Sequence, residues 1–281
     1  MKKILSIVLV VALLSVAVFA LAACNDDKSV KVIEIPLTEE EYAFGINKND
    51  PELLAQVNQI IDEIMADGTF DEITSRYFGE NLGGKNITSH AKDASKDQLL
   101  VATNAAFAPF ESKNGEYYTG IDMEIAQVIA DKLNKELVIL DMEFDSVVTS
   151  VQQGTADIAM AGLTVSAERA EQVNFSKTYY KASQVVIVKE GDTTFDGCAT
   201  AADVENVLKG LTGKKAGYQS GTTGGLYLTG DAEMGFAGFA NIESAPYSNG
   251  ALAVQDMING NLDLVIIDEA PASMIASSFN K

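Results

Sequence analysis

Hydrophobic positions fall into three regimes along the chain. Residues 4–23 are apolar apart from Ser6 and Ser15, with Lys2-Lys3 before them and Asn25-Asp26-Asp27-Lys28 after. From residue 30 the pattern changes: 30–35 alternates like a strand, and 42–46 reads as another. Asp50-Pro51-Glu52 is a helix start, with Asp50 as N-cap and Pro51 at the first helical position. Leu53, Leu54, Val57, Ile60, Ile61 and Ile64 follow at helical spacing until Asp67-Gly68 stops the run, and a shorter helix over 70–78 gathers Phe70, Ile73 and Tyr77 on one side. Residues 79–98 carry no apolar period and hold Gly79, Gly83 and Gly84, so they read as a flexible polar linker.

From Leu99 onward strands and helices alternate. Strands are expected at 99–103, 136–140 and 156–161, helices at 121–134, 147–151 and 167–173, and an extended run at 183–188. A second series follows, with helices at 201–211, 249–258 and 270–278 and strands at 215–218 and 262–267. Such alternation implies mostly parallel sheets flanked by helices, and two series joined by an extended segment imply two α/β lobes with a cleft between them.

Composition removes several classes of function. The 281 residues include 20 Lys plus Arg and 40 Asp plus Glu, a net charge of −20, and such a surface disfavours nucleic acid and anionic headgroups. Two cysteines, Cys24 and Cys198, and one histidine, His90, exclude zinc-finger and disulfide-scaffold readings and weaken any His-dependent hydrolase. His90 falls in the linker, where a solvated loop position is expected. No metal site and no cofactor is expected.

The basic start, the apolar middle and the small residues Leu21-Ala22-Ala23 describe a secretory leader over residues 1–23. The following Cys24 resembles the lipobox cysteine of bacterial lipoproteins, which is acylated after cleavage; a retained helical anchor is the alternative. On that reading residues 24–29 are a lipid-anchored tether and the protein is extracytoplasmic. Cys198 is then left without a partner and is expected to be a half-buried core thiol.

Five stretches together resemble the polar amino-acid substrate-binding proteins of ABC importers. They are Ala102-Thr103-Asn104-Ala105-Ala106-Phe107-Ala108-Pro109-Phe110-Glu111; Gly120-Ile121-Asp122-Met123-Glu124-Ile125-Ala126; and Ala156-Asp157-Ile158-Ala159-Met160-Ala161-Gly162-Leu163-Thr164 with Arg169, Asn174-Phe175-Ser176 and Tyr179-Tyr180. The others are Gln219-Ser220-Gly221-Thr222-Thr223-Gly224 and Ile267-Asp268-Glu269-Ala270-Pro271-Ala272. The resemblance implies the two-lobed type II periplasmic-binding fold. Segments that close the chain in that family stand here at 30–79, ahead of its usual beginning at 99. This order is that of a circular permutation, with 79–98 joining the ancestral termini. Lobe 1 is then expected over 41–187 and lobe 2 over 30–40 plus 188–281. A segment swapped with a neighbouring molecule is the alternative, and a monomer is the expectation.

A free amino acid carries two opposite charges, and burying either without a partner costs several kcal/mol. Within the resemblance, Arg169 is the carboxylate partner through its planar fork. Thr164 adds a donor, and Gly162 allows close backbone approach. Thr223 and Ser220 reach the carboxylate from the second lobe, in a loop between a strand and a helix. Asp268 takes the ammonium at the carboxyl end of its strand, with Glu269 as the fallback. Phe107 and Phe144 sandwich the side chain, and Asn104 and Gln219 face it. The neutral Asn104 tilts the expectation toward an uncharged polar ligand, although Glu111 could serve a cation. The expected function is a lipid-anchored receptor that delivers an uncharged polar or basic amino acid to an ABC permease, rather than an enzyme. A sensor for a signalling partner and a dehydratase on the same scaffold are the alternatives.

Overall fold

The computed structural model describes residues 29–78 and 83–281; Cys24 and the leader, with residues 79–82 of the linker, lie outside the described residues. Five strands make one sheet in the order Val173–Phe175, Gly45–Asn47, Ile158–Ala159, Gln98–Thr103, Glu136–Asp141. The last three run parallel, while Gly45–Asn47 is antiparallel to both its neighbours. Helices Pro51–Ala66, Ile121–Lys132 and Phe144–Gln152 pack on this first lobe. The second sheet has the order Val30–Ile33, Gln184–Lys189, Leu264–Asp268, Lys214–Gln219, Ile242–Tyr247. Its last three strands are parallel and its first two antiparallel, with helices Thr223–Thr229, Gly250–Ile258 and Glu269–Phe279 against it. Two α/β lobes are therefore present, each with a mixed sheet.

The lobes are joined by two short antiparallel strands, Glu40–Tyr42 and Tyr180–Ala182. The extended run over 42–46 is thus not one strand. It breaks at Ala43-Phe44, where the chain leaves the crossing and enters the first sheet. The lobe boundary expected at 187 moves as well: the second crossing ends at Ala182, and Gln184–Lys189 belongs wholly to the second sheet.

Local sequence explains the elements that hold these sheets. The Asp50 side chain accepts from the Leu53 amide at 2.9 Å with Pro51 in the first turn, and the helix buries Leu53, Val57, Ile60, Ile61 and Ile64. Each such side chain contributes roughly 1.5–3 kcal/mol of transfer free energy, which stabilises a helix that would be marginal alone. Gly68 at φ +85° ends the turn and opens the helix Thr69–Ser75. Arg76 and Tyr77, just beyond it, meet the buried Glu124 carboxylate at 2.5 and 2.7 Å. That network ties the early segment to helix Ile121–Lys132.

The linker is not flexible coil where it is described. Ile87 is buried and Ile87–Thr88 pairs with Tyr117–Thr119 in a small sheet completed by Glu111–Asn114 and Ala106–Phe107. The His90 amide donates to Leu137, Ser89 Oγ accepts from the Ile139 amide, and the Gln98 side chain bridges Ala91, Asp93 and Glu136. Polar residues that look like coil in sequence are standing in for ladder partners. Strand Ile242–Tyr247 was also unforeseen: it is an edge strand with exposed Glu243, Ser244 and Pro246, so it lacks an apolar run. Cys198 is free and half-buried against the second lobe's core.

Gly120 sits at φ +134°, and a Cβ there would overlap the Phe110 carbonyl. Gly120→Ala is expected to cost at least about 2 kcal/mol and to lower the thermal midpoint by roughly 5 °C or more. Gly115→Ala, at φ +63° with open space around it, should cost about 1 kcal/mol. Thermal unfolding of both variants by circular dichroism checks the difference.

Candidate functional site

The carboxyl ends of the parallel strands in both sheets converge between the lobes, the edge at which open α/β sheets bind ligands. From the first sheet come Asn104, after Gln98–Thr103, and Gly162, after Ile158–Ala159. Gln219 ends one strand of the second sheet and Asp268 another. Tyr42 enters from the crossing strands and donates to Asp268 Oδ1 at 2.5 Å.

Asp268 is buried, and its pKa is pushed up to about 7, first by desolvation and then by Glu40. Glu40 is itself buried and accepts from Thr38 Oγ1 at 2.6 Å, Thr164 Oγ1 at 2.8 Å and Gln184 Nε2 at 3.0 Å. Facing them is Arg169, one of two arginines in the chain. Its guanidinium donates to the Thr164 carbonyl at 2.7 Å and to Gly221 O at 3.0 Å, and lies 5.3 Å from the centre of the Phe144 ring. The residue is half-buried by surface but densely surrounded, so desolvation lowers its pKa against the pull of Glu40 and Asp268. Among the described residues it forms no ion pair, in contrast to Arg76 with Glu72 and Glu124.

A second acidic pair lies deeper. Asp122 accepts from the Gly162 amide at 3.0 Å and from Tyr179 Oη at 2.7 Å, and burial pushes its pKa up to about 7. Glu111 is fully buried with both carboxyl oxygens unpartnered, and its pKa is raised well above the ordinary range by burial, then by Asp122 and Asp268. Aromatic rings surround these groups: Tyr42 meets Phe110 edge-on at 5.1 Å, and Phe110 stacks on Phe107 at 6.1 Å. Gly162, at φ +52°, leaves room for them, since a Cβ would lie 2.8 Å from the Phe107 ring and 3.3 Å from that of Tyr42.

Some of the residues expected at the ligand meet across the lobes, and several have partners of their own. Gln219 Nε2 donates to Asn104 Oδ1 at 2.9 Å across the cleft, and Asn104 Nδ2 donates to the Met142 carbonyl. The two amides thus meet each other, leaving the buried Gln219 Oε1 without a partner. Ser220 Oγ donates to Asp145 at 2.8 Å, a second bond from lobe to lobe. The Thr164 hydroxyl is committed to Glu40, so its carbonyl, and not its donor, faces Arg169. Thr223 is buried at the first position of its helix. Phe107 and Phe144 have different neighbours, one ring on Phe110 and the other under Arg169. Glu269 is exposed and points elsewhere than its neighbour Asp268. Glu40 and Asp122 escaped sequence reading as members of the site. Glu40 sits in a Thr-Glu-Glu-Glu run that looks solvated, and Asp122 lies in the first turn of a helix.

His90 lies on the surface with Nδ1 4.0 Å from Glu136, and no group of three or more metal-ligating side chains forms among the described residues. The space between the lobes is thus bordered by one guanidinium, Arg169, within the influence of the Glu40 and Asp268 carboxyl groups.

Two α/β lobes on a pair of crossing strands, with polar and charged side chains of both meeting between them, define a two-lobed periplasmic-type binding protein. The chain belongs to the bacterial extracellular solute-binding proteins, family 3, which it matches over residues 7–80 and 99–276. It is 31% identical over 135 residues to the arginine-binding extracellular protein ArtP of Bacillus subtilis, covering 48% of this chain and 49% of that one. It is 28% identical over 190 residues to a probable histidine-binding protein of Neisseria gonorrhoeae, covering 67% and 65%. The chain thus spans about half to just under two thirds of these relatives' lengths. An ancestral arginine-binding protein bound to arginine superposes with a TM-score of 0.56 at 30% identity, over 65% of this chain and 75% of that one. The ancestral amino acid-binding protein AncCDT-1, a precursor of cyclohexadienyl dehydratase, gives 0.55 at 26%, over 75% and 78%.

The raised pKa values of Asp268, Asp122 and Glu111 have a measurable consequence. Between about pH 4 and pH 7 the folded protein keeps protons that the unfolded chain has released, so this stabilisation is present at low pH and lost as pH rises through about 7. Carboxylates whose pKa is lowered by hydrogen bonds, such as Glu63 to Lys132 and Asp203 to Thr200, act in the opposite sense, losing stabilisation as pH falls. The thermal midpoint of the ligand-free protein should fall from pH 5 to pH 8, and Asp268→Asn should flatten the slope. An unchanged slope in that variant would assign the effect to other groups.

Proposed function

We propose that the protein is an extracytoplasmic receptor that captures a free basic amino acid between its lobes and delivers it to an ABC permease, tethered to the membrane through lipid on Cys24. The observation that carries the choice of ligand is Glu111. A carboxyl group with no exposure and no partner for either oxygen is costly, and a guanidinium, ammonium or imidazolium beside it removes that cost. On this reading Arg169 pairs with the α-carboxylate and Asp268 with the α-ammonium. Glu111, backed by Asp122, takes the distal cation along the Phe107 and Phe110 rings. Asn104, from which the leaning toward an uncharged ligand came, is hydrogen-bonded to Gln219, so Glu111 is given the greater weight. Similarity to arginine- and histidine-binding proteins points the same way. Groups from both lobes reach such a ligand together once the cleft is closed, so capture shifts the equilibrium toward the closed form by motion at the crossing strands.

The same reading includes the permuted order of the chain. It is supported by the first strand, Val30–Ile33, which joins the second sheet, and by Asn280, whose side chain pairs with both backbone groups of Val30 at 2.8 and 2.9 Å. Gly45–Asn47 then fills a place inside the first sheet, and the family match falls into two blocks on either side of the linker.

A thermal-shift screen of the twenty amino acids should give its largest upward shifts with arginine, lysine or histidine. Arg169→Ala should weaken the best ligand by roughly 10²–10³-fold in calorimetry. Glu111→Gln should weaken a basic ligand at least tenfold while sparing glutamine. A screen led by neutral amino acids would overturn the basic-ligand reading, and no shift with any amino acid would overturn the receptor reading.

A further inference from the structure

Asp268 and Glu269 are adjacent acids that serve opposite sides of the molecule. Asp268 ends its strand inside the cleft on Tyr42, whereas Glu269 opens helix Glu269–Phe279 and faces an outer groove of about 400 Å³. One wall of that groove is helix Glu269–Phe279, through Glu269, Ser273 and Met274; the other is lobe 1, through Tyr77 and Phe78. Its floor is Tyr180 of the crossing strands.

Tyr180 is also the partition between groove and cleft. Its ring stacks with Phe78 at 5.9 Å and 13°, and packs edge-on against Phe110 at 4.8 Å and beside Tyr42 at 5.7 Å. The groove thus combines aromatic rings, hydroxyls and one carboxylate within a volume typical of small-molecule sites. Phe78 is 44% exposed, unusual for a phenylalanine, and its ring borders this space. The Glu269 carboxylate has no hydrogen bond or ion pair among the described residues; what helix and hinge take from Glu269 is its backbone, the amide to Ser183 O and the carbonyl to Ser273 Oγ. Negative potential reaches the floor from both sides, since Glu269 and Asp268, after burial, raise the pKa of Tyr180. Aromatic faces beside an uncompensated carboxylate attract an organic cation more than a neutral molecule or an anion.

We propose that this groove is a second binding site, for a small organic ammonium ion, held between the Glu269 carboxylate and the rings of Phe78 and Tyr180 and separate from the cleft. Tyr77 lends its ring alone, because its hydroxyl is already bonded to Glu124 and the Gly120 amide.

Titration of the intact chain with butylammonium chloride tests this, followed by ligand-observed NMR and by tyrosine fluorescence, which no tryptophan masks. Saturable binding is expected, weakened at least tenfold in Glu269→Gln and in Phe78→Ala, with 1-butanol binding at least tenfold more weakly than the ammonium. Glu111→Gln should leave it unchanged, which separates the groove from the cleft and the proposal from the basic amino-acid reading. The exposed Glu269 side chain makes no structural contact, so Glu269→Gln should keep the native thermal midpoint. Equal binding in Glu269→Gln, loss in Glu111→Gln, equal binding of 1-butanol, or no saturation in the wild type would each overturn the site.

Discussion

Four carboxyl groups, those of Glu40, Glu111, Asp122 and Asp268, are buried between the lobes, and the Arg169 guanidinium feels two of them, Glu40 and Asp268. Removing that many acids from water is tolerable when each finds donors or keeps its proton. Glu40 takes the first route, with three donors around it. Asp122 and Asp268 combine tyrosine hydroxyls with raised pKa values, and Glu111 has no donor at all. Depth does not decide which route is taken, since Asp122 and Glu111 are equally buried and only the first has donors.

The same groups connect chemistry to motion. Tyr42 belongs to a crossing strand, yet its hydroxyl lies on Asp268 of the second lobe and its ring on Phe110 of the first. Asn104 with Gln219, Asp145 with Ser220, and Arg169 with Gly221 add three bonds directly between lobes. These contacts are few and polar, so they hold a closed arrangement without making it irreversible.

Much of this was readable in the chain. Asp50-Pro51 announced a helix, and alternating α/β elements announced two lobes. What escaped reading has a common cause. Ser89, Gln98 and Glu40 are polar residues whose side chains replace backbone or charged partners, and one-dimensional patterns score such residues as solvated. The hydrogen bond from Gln219 to Asn104 escaped reading because sequence carries no distance between lobes. Glu243 and Pro246 hide an edge strand because its outer side needs no apolar cover.

The pairing of Val30 with Asn280 places the first described strand against the last helix, on the lobe that Leu264–Asp268 anchors. A pull on the segment ahead of Ser29 is therefore absorbed in the ladder between Val30–Ile33 and Gln184–Lys189, without crossing the hinge. The chain's leading end thus enters lobe 2 at an edge strand, at the opposite edge of that sheet from Ile242–Tyr247 and apart from the crossing pair Glu40–Tyr42 and Tyr180–Ala182.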